Sequence, residues 1–159
     1  MCFDRLRERW VMRKYKRVRV IEQGKRAEPF EPSRLIQPLQ VDDIFKWVCS
    51  NIKYKPEGKD YWQTPLETLQ RGAGDCEDGS ILLASLFCSV LPKSERWRVF
   101  VAVFEKPAHV VVVYRNRVFD WTNKTVKKVS QISSWKLLYM FNFRSVYAPR
   151  RNVKKWLRG

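Results

Sequence analysis

Between residues 44 and 52 the apolar positions Ile44, Phe45, Trp47, Val48 and Ile52 recur at helical spacing. Asp42 or Asp43 can cap the start, and the helix should stop before Pro56-Glu57-Gly58. Thr64-Pro65-Leu66-Glu67 predicts a second, short helix: Thr64 as cap, proline at the first helical position, Glu67 completing a capping box, and Gly72 at the end. A third helix follows, with Asp75 at the N-cap, Cys76 at the first helical position and Asp78 at the third, running to about Leu91 and closed by Pro92. Ile81, Leu82, Leu83, Leu86, Phe87 and Val90 cover most of its circumference, which marks it as the buried central helix.

Beyond Pro92 the period shortens. Residues 96–105 alternate at Val99, Val101 and Val103, and residues 108–114 are nearly all apolar, as in a strand buried on both faces. Residues 117–121 return after only Arg115-Asn116, and asparagine tolerates the left-handed backbone of a tight hairpin turn. Residues 130–141 read as helix and 142–147 as a final strand. Pro29, Pro32 and Pro38 exclude a regular helix over 28–40 and indicate an extended linker. The basic residues before it alternate like a strand at Val18-Arg19-Val20 but fit a frayed helix equally well. The chain thus divides into a basic segment and linker (1–40), a core (41–148) and a basic tail (149–159).

The composition supports a folded protein: apolar residues make up 45%, with 9 Phe, 7 Trp and 6 Tyr. No apolar run approaches the ~18–20 residues of a membrane span, and Met1 to Arg7 has no signal-peptide character. A soluble, cytoplasmic protein is therefore expected. The formal net charge of +16 favours polyanions, whether nucleic acid, an anionic surface or an acidic partner. Arg13, Lys14, Lys16 and Arg17 near Trp10 and Tyr15, and Arg150, Arg151, Lys154 and Lys155 near Trp156, are the candidate contacts. Cys2, Cys49, Cys76 and Cys88 form no C-x-x-C pair and there is one histidine, so a structural zinc site is not expected. Cys49 and Cys88 lie in apolar helical patterns and read as core thiols. Cys2 would become an N-terminal thiol after loss of Met1, but nothing around it looks like a site.

Cys76 differs. The first turn of a helix presents unpaired N–H groups and partial positive charge, which favour a thiolate. Gly72 and Gly74 allow a tight turn and close approach of a substrate. Asp75, Glu77 and Asp78 oppose the thiolate if they point at the sulfur; capping is their expected role. A base is needed, and His109 is the one imidazole, opening the apolar strand Val110–Val113. If Arg115-Asn116 is a two-residue turn, Tyr114 faces Arg117 and Asp120 projects on the same sheet face as His109, at a diagonal position. Cys76, His109 and Asp120 then compose a nucleophile, a base and a group orienting that base.

The run Tyr61-Trp62-Gln63-Thr64-Pro65-Leu66-Glu67-Thr68-Leu69, followed by Gly72-Ala73-Gly74-Asp75-Cys76-Glu77-Asp78, resembles the transglutaminase-like superfamily, in particular its archaeal and bacterial cysteine-protease-like members. The resemblance spans roughly residues 41–125. It implies an α+β, papain-like fold, with the central helix that carries the cysteine packed on an antiparallel sheet. It also implies acyl transfer through a thioester without a cofactor, with the triad in the order Cys76, His109, Asp120. Two positions depart from many relatives: Val111 replaces an aromatic two residues after the histidine, and Gly79-Ser80 replaces a small apolar residue after the acidic pair. The Cys76 backbone N–H is the first candidate oxyanion donor, with Gln63 or Trp62 as a second. The expected activity is that of a cysteine peptidase or amidase on protein or peptide substrates, with transamidation as a variant. The alternative is a non-catalytic polyanion-binding or structural module on the same scaffold.

Overall fold

A computed structural model describes residues 40–56, 58 and 61–147. Helix α1 (Val41–Asn51) presents Ile44, Phe45 and Val48 to the core. Its N-cap is Gln40, two or three residues earlier than expected, with the Asp43 carboxylate accepting from the Gln40 backbone N–H at 3.3 Å. Asp42 is thereby released to form a two-pronged ion pair with Arg117, at 2.5 and 3.0 Å. A two-residue strand β1 (Lys53–Tyr54) leads to α2 (Pro65–Arg71), whose Thr64–Glu67 capping box forms as the sequence requires. Gly72 ends α2 in the left-handed region at φ 61°, where a side chain would be strained. Strand β2 (Ala73–Gly74) then pairs in parallel with β1.

Central helix α3 (Cys76–Val90) begins at the Asp75 cap, and Ile81, Leu82, Leu83, Ala84 and Phe87 along it are almost inaccessible to solvent. Each of the Ile, Leu and Phe side chains among them contributes about 1.5–3 kcal/mol by leaving water. After a single turn, α4 (Lys93–Arg96), the chain builds β3 (Val99–Lys106), β4 (His109–Tyr114), β5 (Arg117–Asp120) and β6 (Thr125–Lys128). A 3-10 turn at Val129–Ile132 precedes β7 (Lys136–Phe141) and β8 (Val146–Tyr147). The six strands form an antiparallel sheet in the order β6-β5-β4-β3-β7-β8. One sheet face packs on α1 and α3, joined by edge-to-face contacts of Phe87 with Phe119 and of Phe45 with Phe119. The other face gathers Ala102, Phe104, Val111, Val113, Val118 and Met140 under Val129 and Ile132. This is the α+β arrangement expected, a helix layer on an antiparallel sheet.

Residues 130–141 are not a helix. Lys136–Phe141 pairs with β3, and Tyr139 and Phe141 enter the helix-side core while Met140 enters the opposite one. Two register shifts in this pairing blur the alternation that would have announced a strand. Strand β6 was also unforeseen, because its edge position leaves Val126 and Lys128 exposed. In the β4–β5 hairpin Tyr114 does face Arg117, but the left-handed residue is Arg115 (φ 53°) rather than Asn116. Arg115 lies over the Tyr114 ring and reaches Glu95 at 3.5 Å.

Candidate active site

Three elements converge where α3 begins. Asp75 caps the helix: its carboxylate accepts from the Asp78 N–H at 3.5 Å, and that of Asp78 accepts from the Asp75 N–H at 3.2 Å. Buried Asp78 also accepts from the Gln63 backbone N–H at 2.6 Å, tying the segment before α2 to the helix start. The first turn meets the start of β4, where the Ser80 hydroxyl donates to the Val110 carbonyl at 3.1 Å. Cys76 is half-buried at this junction, beside the residue that follows His109.

The diagonal placement inferred from strand parity brings His109 and Asp120 together. His109 Nε2 lies 3.0 Å from Asp120 Oδ2, with the imidazole mostly covered and the carboxylate almost wholly so. Burial alone would raise the Asp120 pKa, but hydrogen bonds from His109 and from the side chain and backbone of Asn123 outweigh it and hold the carboxyl below its ordinary value. The Asn123 contacts are 2.8 Å from Nδ2 and 3.1 Å from the backbone N–H. With Nε2 engaged by Asp120, Nδ1 is the ring nitrogen left for proton exchange.

The sulfur's surroundings differ from the simple helix-dipole expectation. Asp75 and Asp78 do cap the helix, but Glu77 turns toward the thiol, and Cys76 Sγ donates to Glu77 Oε2 at 3.1 Å. Burial first, then the Glu77 charge and hydrogen bond, drive the Cys76 thiol well above its usual range; the Val110 backbone offsets this in part. Asp75 is pushed up to about 8 by burial and by the neighbouring Glu77 and Asp78 carboxylates. The sulfur's immediate surroundings therefore oppose the thiolate.

Trp62 packs in the core against Phe141, ring centroids 6.2 Å apart, and Gln63 is 1% exposed on the wall of a cavity that Gly74 also lines. Cys88 is a core thiol as expected, whereas Cys49 is only partly covered, its Sγ 3.8 Å from the Trp121 carbonyl. Arg13, Lys14, Lys16, Arg17, Arg150, Arg151, Lys154 and Lys155 lie outside the described residues.

Sequence reasoning passed over Trp121, Asn123 and Trp135. Trp121 Nε1 donates to the Cys76 carbonyl at 3.1 Å, so the residue after Asp120 grips the residue proposed as nucleophile. Trp135 stands edge-on to His109, centroids 5.9 Å apart. Asn123, three residues after an aspartate, is the one with a local signal, since aspartate side chains often accept from nearby downstream groups.

Residues 31–90 match the model of the transglutaminase-like superfamily. No curated protein matches the chain significantly. Among solved structures it is similar to LapG of Legionella pneumophila. The EGTA-treated form is 17% identical with a TM-score of 0.61, over 86% of each chain. A second LapG structure is 18% identical with a TM-score of 0.60, over 84% of this chain and 85% of that one. The calcium-bound form is 19% identical with a TM-score of 0.56, over 84% and 87%. At these identities the likeness is one of fold, and it agrees with a transglutaminase-like core of helices on an antiparallel sheet. Among the described residues, no helix is long and apolar enough to cross a membrane.

Proposed function

We propose that the protein is a thiol-dependent acyl-transfer enzyme, a peptidase or amidase, with Cys76 as nucleophile, His109 as base and Asp120 as the residue that orients the base. The observation that carries this reading is the 3.0 Å contact between His109 Nε2 and a buried Asp120, on the strand that abuts the Cys76 turn. In the proposed reaction His109 takes the Cys76 proton through Nδ1 and the sulfur attacks the amide carbonyl. The C–N bond then breaks, and the imidazolium protonates the leaving amine. Water attacks the thioester, releasing a carboxylic acid and restoring the thiol; a lysine amine in its place would give an isopeptide bond. Intact-mass spectrometry during incubation with a panel of peptide amides should detect an acyl adduct on Cys76 and cleaved product. If Cys76→Ala leaves every cleavage or cross-linking activity intact, the reading is wrong.

A second reading concerns the same turn and is suggested by the calcium-bound LapG structure. Burial, together with the neighbouring Glu77 and Asp78 carboxylates, pushes Asp75 up to about 8. Calcium accepts carboxylate oxygens and would allow Asp75 and Glu77 both to ionise. Among the described residues no three His, Cys, Asp or Glu side chains cluster as a metal cage, so backbone carbonyls and water would complete the shell. Calorimetric titration of EGTA-treated protein with calcium should show binding accompanied by proton release. Absence of heat, or unaltered heat in the Asp75→Asn, Glu77→Gln variant, refutes it.

A further inference from the structure

The turn between β5 and β6 touches both halves of the proposed site. The Lys124 N–H closes it by donating to the Trp121 carbonyl at 3.3 Å, and Asp120 pairs with Thr125 across it. From this turn the Trp121 indole reaches the Cys76 carbonyl, while Asn123 folds back onto Asp120. Asn123 Nδ2 lies 2.8 Å from Asp120 Oδ2, the same oxygen that faces His109 Nε2 at 3.0 Å. The Asn123 backbone N–H takes the other oxygen, Oδ1, at 3.1 Å. An ionised carboxylate only accepts, so both neighbours of Oδ2 must present an N–H to it.

The backbone of the turn does not call for asparagine. Asparagine suits a left-handed position, but the left-handed residue here is Lys124, at φ 54°. Any residue except proline at position 123 keeps the backbone bond to Oδ1; the second donor comes from the side-chain amide. That donor matters because Asp120 is 1% exposed, and a carboxylate so removed from water depends on the hydrogen bonds it receives. Asn123 itself is exposed, so replacing it uncovers little of the core.

We propose that Asn123 is a positioning residue of the acyl-transfer centre: its amide holds Asp120 as an acceptor aimed at His109, so that the imidazole carries its proton on Nε2 and keeps Nδ1 bare for the thiol proton. The catalytic meaning rests on the proposed function; the effect on the imidazole tautomer does not. Without the amide, Oδ2 keeps one donor, and the carboxylate is freer to rotate and to take up a proton. A protonated Asp120 would donate to Nε2 and leave the ring proton on Nδ1, where it blocks transfer from the sulfur.

The test compares Asn123→Leu, of similar size but without a donor, with Asn123→Gln, which keeps an amide on a longer stem. His109 is the chain's single histidine, so long-range proton–nitrogen NMR spectra of the untagged, full-length protein read its two ring nitrogens directly. The spectra are taken in a Cys76→Ala background at about pH 8.5, where an ordinary imidazole is neutral. The ratio of the Nε2–H to the Nδ1–H tautomer should fall about 10-fold in Asn123→Leu and clearly less in Asn123→Gln. With the sulfur restored, alkylation of Cys76 by iodoacetamide should slow about 10-fold in Asn123→Leu and recover in part in Asn123→Gln, while labelling at Cys2 and Cys88 stays unchanged. A tautomer ratio unmoved in Asn123→Leu, or an equal loss in Asn123→Gln, overturns the assignment. If His109→Ala slows Cys76 and Asn123→Leu changes neither the tautomer nor the rate, this inference fails alone. If the tautomer follows Asn123 but Cys76 is indifferent to His109→Ala, the acyl-transfer reading fails and the tautomer assignment stands.

Discussion

Gly79→Ala places a methyl group where the structure has none to spare. A Cβ on Gly79 would lie 2.1 Å from Trp121 Cε2, 2.4 Å from Cζ2 and 2.5 Å from Nε1. Carbon atoms in contact prefer about 3.5–4.0 Å, so the indole must retreat by roughly 1–1.5 Å. It has little freedom to do so, being 2% exposed and bonded through Nε1 to the Cys76 carbonyl. Overpacking of this kind costs about 1–3 kcal/mol, and losing the indole hydrogen bond about 1 kcal/mol more. Against this, alanine improves a helix interior by about 1 kcal/mol over glycine. The balance is a destabilisation of about 2 kcal/mol, a fall of roughly 8 °C in Tm for a domain of this size. Thermal and urea unfolding of the two proteins measure it. Helix propensity alone predicts the opposite sign, so a variant as stable as the parent or more so refutes the packing assigned to Trp121. Because Trp121 follows Asp120 directly, the same variant should weaken the His109–Asp120 contact, seen as an altered imidazole proton resonance by NMR.

Replacing Glu77 by glutamine removes the charge that opposes the thiolate; the Cys76 pKa should come down and its alkylation near neutral pH accelerate several-fold, whereas an unchanged rate would mean the carboxylate does not act on the sulfur. Asp75 is raised in the folded state to about 8 from 3.8, so its protonated form favours folding. Its contribution is full below pH about 4 and is lost as pH rises toward about 8. Asp75→Asn, which keeps a good cap, should flatten that decline in a series of unfolding curves; an identical pH profile would contradict the shift. Asp120 has the opposite sign: its depressed pKa stabilises the fold above about pH 4, and Asp120→Asn should weaken the acid-side loss of stability.

Local signals carried most of the helical layer. Thr64, Glu67 and Gly72 bound α2, and Asp75 and Asp78 cap α3, because capping is chemistry between residues three apart. The His109–Asp120 contact was legible for a similar reason: a short hairpin fixes register, and register fixes parity. Non-local pairing hid the rest. Strand β7 owes its conformation to β3, some 35 residues earlier in the chain, and its bulged register erases the alternation. The direction of the Glu77 side chain depends on how α3 meets β4, which no spacing reports. Gly79 looked like a departure from the family pattern, and the structure explains it by the indole of Trp121, which occupies the space a side chain would take.

The central claim is that the imidazole of His109 activates the sulfur of Cys76, and it is tested most directly by peptide mapping after low-dose iodoacetamide near neutral pH. Burial and Glu77 suppress the thiolate, so the sulfur should depend on its base. His109→Ala should slow alkylation of Cys76 by about 100-fold while leaving the rates at Cys2, Cys49 and Cys88 unchanged. Equal labelling of Cys76 in the two proteins would contradict the account.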